Sequence, residues 1–179
     1  MELTDENVIP IFGEAWFYVS KQGQISEILE FYYKDPDEYY KKLLEHGFQE
    51  ELEAEISNLW NNLDDIFENE ENILNQKKVY PKVQHVEIGI RQDPIYPHIT
   101  WIIYFEGKMF ENDENIYESK TDLEKLDYDC KATWIFPKYV KFIDINSAMN
   151  YQIINNFILL FQAKKGEFIG GNEKFIFRF

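Results

Sequence analysis

A chain of 179 residues that is 45% apolar and 17% aromatic has the length of one domain and enough large side chains for a packed core, which excludes a disordered chain. A single cysteine, Cys130, excludes an internal disulfide framework. The formal net charge of −15 repels nucleic acid and anionic membrane surfaces and attracts basic proteins.

That charge is unevenly spread. Residues 1–75 hold 19 acids and 4 bases, whereas residues 76–179 hold 14 of each, so the whole excess lies in the first part. The start, Met1–Glu6, is acidic where a secretory leader needs positive charge. Pro10, Gly13 and Glu14 interrupt the apolar stretch from Val8 to Val19. The densest later run, Phe157–Phe161, is too short to span a bilayer. A cytoplasmic protein with no membrane segment is the expectation.

In chain order, Ile25, Ile28, Leu29 and Tyr32 recur at three and four residues and predict an amphipathic helix. Asp35-Pro36-Asp37-Glu38 breaks it and offers an N-cap, with Pro36 suited to a first helical position. The next helix carries Tyr39, Tyr40, Leu43 and Leu44 and stops at Gly47. A longer helix follows, with Phe48, Leu52, Ile56, Leu59, Leu63 and Ile66 on one stripe and most of its acids off it.

After Asn75 the period changes to two. Val86, Ile88 and Ile90 alternate with polar residues, as do Ile99, Trp101, Ile103 and Phe105 across a Pro-containing loop, which predicts a β-hairpin. The expected register sets Arg91 opposite His98, Glu87 opposite Ile102 and His85 opposite Tyr104. Thr121–Leu126 reads as a short helix. Ala132–Phe136 and Tyr139–Ile145 read as strands. A helix is expected from Asn146 or Ser147 to about Lys164, with Met149, Ile153, Phe157 and Leu160 on its buried side. Gly170-Gly171-Asn172 reads as a turn, and Lys174–Phe179 as a closing strand.

The fold class that follows is α+β in a single domain, 1–179. An acidic helical part, 1–75, packs on a mainly antiparallel sheet in 76–179, with one further long helix near the C-terminus.

Chemical signatures are sparse. No phosphate loop, nucleophile elbow or metal-ligand spacing is present, and the sequence points to no metal and no cofactor. One polar strand face collects His85, Glu87, Arg91, His98, Thr100 and Tyr104. A histidine beside a carboxylate is a usable acid–base pair, although the solvent face of a sheet carries such residues anyway. Cys130 lies between Asp129 and Lys131 and reads as an inert, partly buried thiol. The carboxylates Asp64, Asp65, Glu68, Glu70 and Glu71 lack the ligand alternation of a calcium loop.

These features lead to an acidic intracellular protein that masks a basic protein partner. An immunity protein against a nuclease-type toxin is one concrete form, on physical character alone. The expected contact residues are Glu50, Glu51, Glu53, Glu55, Asp64, Asp65 and Glu68 with Tyr33 and Tyr40, the acids steering the partner and the rings supplying contact area. The alternatives are a small-ligand protein or enzyme using the polar sheet face, and a structural subunit of a larger assembly. Oligomeric state has no sequence signal.

Overall fold

The computed structural model describes residues 5–45 and 47–179; the first four residues of the acidic start lie outside them. The chain opens with a long hairpin, β1 (Ile9–Val19) and β2 (Gln24–Lys34), followed by α1 (Tyr39–Leu44) and α2 (Gln49–Asn69). Ten strands complete it: β3 (Glu71–Leu74), β4 (Lys77–Val79), β5 (Lys82–Ile90), β6 (Pro97–Glu106), β7 (Asn115–Lys125), β8 (Asp129–Ile135), β9 (Lys141–Asn146), β10 (Asn150–Ile154), β11 (Ile158–Ala163) and β12 (Phe168–Arg178). They build a seven-stranded sheet, β10-β11-β8-β1-β2-β6-β5, and a five-stranded sheet, β4-β3-β7-β12-β9. Within the larger sheet β1 and β8 pair in parallel.

This architecture corrects the expected α+β fold. Strand accounts for 54% of the chain and helix for 16%, and both helices lie within residues 39–69. The segment read as a first helix is β2. Its inner face carries Ile25, Glu27, Leu29 and Phe31, and its outer face carries Ile28, Glu30 and Tyr32. Apolar residues on both faces, with an acid among the inner ones, hide the period-two signal.

The long C-terminal helix is likewise absent. Its residues form the β10–β11 hairpin, turned by Asn155 and Asn156, both at positive φ, a conformation that asparagine tolerates well. Thr121–Lys125 continues β7 instead of starting a helix. Gly170 and Gly171 also have positive φ but sit inside β12, where they form a bulge against β7; a Cβ on Gly170 would meet the Asp122 carbonyl oxygen at 2.3 Å.

Other expectations agree with the fold. α2 is a 21-residue helix, and Leu52, Ile56, Leu59 and Leu63 pack inward with Trp60 and Phe67. Ile66 instead points out, 52% exposed. Asp35 does cap α1, from outside the first turn. Its buried carboxylate accepts the N–H groups of Tyr39 and Tyr40, each at 2.9 Å, while Glu38 takes the formal N-cap position. The β5–β6 hairpin forms with Val86, Ile88, Ile99, Trp101 and Ile103 buried and Ile90 half-buried. Its register differs by two residues from that expected: Glu87 opposes Thr100, His85 opposes Ile102, and His98 opposes Gly89. A two-residue slip keeps every side chain on its face.

One face of the seven-stranded sheet carries two cores. Towards β5 it is covered by the helices, which enclose Tyr40, Leu43, Val86, Ile88, Ile99 and Trp101. Towards β8 and β11 the five-stranded sheet covers it and encloses Trp134, Leu159, Phe161, Tyr117, Phe175 and Phe177. The seam crosses β6 and β2, because Ile103 belongs to the first core while Phe105 and its β2 partner Ile25 belong to the second. Glu27 stands at that seam, paired to Ile103 on one side and Phe17 on the other.

Candidate functional site

The polar face of the seven-stranded sheet is a charge-compensated cluster centred on Glu30. Glu30 takes a 2.6 Å ion pair from Arg91 and hydrogen bonds from the hydroxyls of Tyr32 (2.7 Å) and Thr100 (3.3 Å). His98 Nε2 lies 3.7 Å from the same carboxylate. Its pKa is lowered, by burial first and then by the Arg91 charge, against the opposing pull of Glu30 and Glu87. The ring fits because residue 89 is glycine: a Cβ there would meet His98 Cε1 at 2.5 Å. Arg91 also lies over the Tyr32 ring, and Lys131 pairs with the neighbouring Glu14 at 2.5 Å.

Arg91, His98, Thr100 and Glu87 therefore share one broad depression of about 490 Å³ with Glu30 and Trp16. His85 and Tyr104 fall outside it. No hydrogen bond joins His85 to Glu87, and Tyr104 donates to Glu106 at 2.8 Å.

The acids of α2 divide into two groups. Glu55 is half-buried and accepts the Tyr40 hydroxyl at 3.1 Å. Asp64 accepts the Val83 N–H at 3.0 Å and the Trp60 indole at 3.2 Å, tying the helix to β5. Tyr40 is buried, Tyr33 is half-buried, and their rings pack 6.3 Å apart. Desolvation raises both phenol pKa values, that of Tyr33 to about 12. Glu50, Glu51, Glu53, Asp65 and Glu68 face outward. Among the described residues only Glu68 of this helix forms an ion pair, with Lys82 at 3.0 Å. Over its 21 residues α2 has seven acids and no lysine or arginine.

A third site lies inside the molecule. A cavity of about 220 Å³ separates the two sheets at the seam between the cores. Its apolar wall includes Phe17 stacked on Trp134 at 3.9 Å, with Phe175 edge-on to Trp134 at 4.9 Å. Among the described residues three carboxyl groups, Glu27, Glu70 and Glu173, line it, and no lysine, arginine or histidine does. Glu173 accepts the Ser147 hydroxyl at 2.6 Å. Glu70, the C-cap of α2, has a long contact of 3.5 Å from Asn72, which in turn accepts the Tyr117 hydroxyl at 2.8 Å. Glu27 is 6% exposed and receives no hydrogen bond from any described residue. Desolvation, and secondarily the Glu70 charge, push its pKa up to about 8. Burial raises Glu70 and Glu173 as well.

Glu70 also lines an outer groove of about 700 Å³ with Asp65, Ile66, Glu71, Asp122 and Glu124. Among the described residues Lys120 is the one cation of the groove, paired with Glu71 at 2.8 Å.

Sequence reasoning missed Glu27 and Glu173, and weighed Glu70 only as one of a carboxylate cluster near the end of α2. A signal existed for the first, since a strand reading of Ile25–Phe31 places Glu27 among inward apolar residues. The described residues contain no group of three His, Cys, Asp or Glu side chains placed to hold a metal ion. No described helix is long and apolar enough to cross a membrane. Compared with known proteins, the chain matches no family model and no curated protein sequence.

Proposed function

We propose that the chain is a binding protein that masks a basic protein partner in the cytoplasm, an immunity protein against a nuclease-type toxin being the concrete form. The observation that carries this reading is α2, whose exposed side presents Glu50, Glu51, Glu53, Asp65 and Glu68 with no cation of its own helix among them. Its opposite side is committed to the core through Leu52, Ile56, Leu59 and Leu63. The outer acids repel one another, a mildly destabilising arrangement that a basic partner relieves. Ile66, exposed beside Asp65, supplies an apolar contact within that surface. The polar sheet face has less capacity for a charged partner, because Glu30 and Glu14 are already neutralised by Arg91 and Lys131.

Capture from a lysate of the source cell tests the reading. Wild-type protein and a Glu51→Lys, Glu53→Lys, Asp65→Lys variant are used as baits at low and high salt. The expected result is a basic protein held by the wild type, released as the Debye length shortens from about 30 Å at about 0.01 M salt to about 3 Å at about 1 M, and lost from the variant. Equal capture by both baits at both salt concentrations overturns the acidic-helix surface.

A further inference from the structure

We propose that the cavity between the two sheets is a binding site for a small organic ammonium ion, its charge held by Glu27 and its apolar body lying against Phe17, Trp134 and Phe175.

Three independent observations converge on this class of ligand. The first is Glu27 itself. A carboxyl group that is almost wholly buried and lacks any hydrogen-bond donor among the described residues is expensive to maintain, and the natural relief is a ligand that brings the donor with it. The second is the wall. Stacked and edge-on rings of Phe17, Trp134 and Phe175 present π faces and apolar area, the surroundings in which an alkyl or aryl ammonium is stabilised by cation–π attraction as well as by burial. The third is the chemistry of the ionisable lining, since Glu70 and Glu173 are acids like Glu27 and, among the described residues, no basic side chain joins them. No three of them converge on a metal position, which favours an elongated organic cation over a bare ion.

The approach is built of the same charge. Glu70 belongs to the wall of both the cavity and the outer groove, and Asp65, Glu71, Asp122 and Glu124 flank it there. A groove with a net negative lining, sharing the Glu70 wall with the cavity, focuses the field and raises the local concentration of the opposite charge. At about 30 Å³ per water, the interior space of about 220 Å³ has room for roughly seven waters, or for an amine with a short chain or one ring.

Titration gives the site a distinctive behaviour. The ionisable groups facing Glu27 are Glu70 from the end of α2, Tyr117 from β7 and Glu173 from β12. Tyr117 stays protonated, its pKa raised well above that of a free phenol, and burial first, then the charge of Glu70, opposes ionisation of Glu27. Without ligand Glu27 is therefore protonated at neutral pH, and an ammonium ion has to expel its proton. Affinity should rise about tenfold per pH unit up to the pKa of Glu27, with one proton released per ligand.

Isothermal titration calorimetry with phenethylammonium chloride, and with phenethyl alcohol as its neutral counterpart, tests the assignment. The expected result is binding of the amine that tightens from about pH 6 to about pH 8, proton release seen as a buffer-dependent heat, and weak or no binding of the alcohol. Glu27→Gln should weaken the amine at least about tenfold at about pH 8 and abolish the pH dependence, with near-UV circular dichroism checking its fold. If that variant does not fold, proton release by the wild type decides alone. Equal affinity for the alcohol, unchanged amine binding in a folded Glu27→Gln protein, absence of proton release, or absence of binding at millimolar amine each overturns the proposal; the last leaves a solvent-filled cavity only.

Discussion

Glu27 of β2 and Glu70 at the end of α2 line one cavity, and burial holds both carboxyl groups above their ordinary pKa, with the charge of Glu70 adding to the effect on Glu27. Two acids separated by 43 positions in the chain are thus brought together where the helical core and the inter-sheet core meet. Neither residue contributes to either core as an apolar side chain would.

Replacing Glu27 by Gln should stabilise the protein, and more so as pH rises. A carboxyl whose pKa rises from an ordinary 4.5 to about 8 on folding binds more protons in the folded state between those values, so stability falls as pH climbs through that window and levels off above it. Glutamine removes that dependence. The gain over wild type should be small near about pH 4.5 and on the order of a few kcal/mol near about pH 8. Urea denaturation of both proteins across that range checks it. A constant difference would show that Glu27 ionises with its ordinary pKa.

Trp101 is 6% exposed and its indole N–H donates to the Leu59 carbonyl of α2 at 3.3 Å. Trp101→Ala should cost about 3–5 kcal/mol, because it opens a cavity in the helical core. The midpoint of chemical denaturation reads this directly. Trp101→Phe, which keeps most of the ring volume, should lose less.

Asp35 is fully buried and accepts the two N–H groups that begin α1. Asp35→Ala strands both donors and should cost about 1–3 kcal/mol. Hydrogen exchange is the sharper measure. Protection should fall at Tyr39 and Tyr40 while the amides of β7 and β12 change only with global stability.

Cys130 carries a thiol that burial pushes up to about 11, with Asp129, Glu167 and Glu173 adding to the effect and an Ala163 backbone hydrogen bond opposing it. Because the thiolate is the reactive form, iodoacetamide at neutral pH should label the folded protein far more slowly than the denatured one. Equal rates would place the sulfur in solvent.

The sequence alone determined the elements whose pattern was clean. α2 was legible because Leu52, Ile56, Leu59 and Leu63 repeat at a helical spacing with acids between them. The β5–β6 hairpin was legible because one face is apolar and the other polar. Parity fixed those faces even though the pairing lay two residues from the expected register, which turns on loop geometry. The acidity of α2 was likewise written in the composition.

Only the tertiary structure decided the rest. β2 carries apolar residues on its open face as well as its buried one, and Glu27 interrupts the buried one; a local window then reads Ile25, Ile28, Leu29 and Tyr32 as a helix. The β10–β11 hairpin was hidden in the same way, since Asn155-Asn156 turns a run whose apolar spacing also fits a helix. The interior site depends wholly on assembly. Glu27, Glu70 and Glu173 come from three distant segments, and what sets their protonation is the desolvation imposed when two sheets and a helix end close over them, a quantity that no stretch of sequence contains.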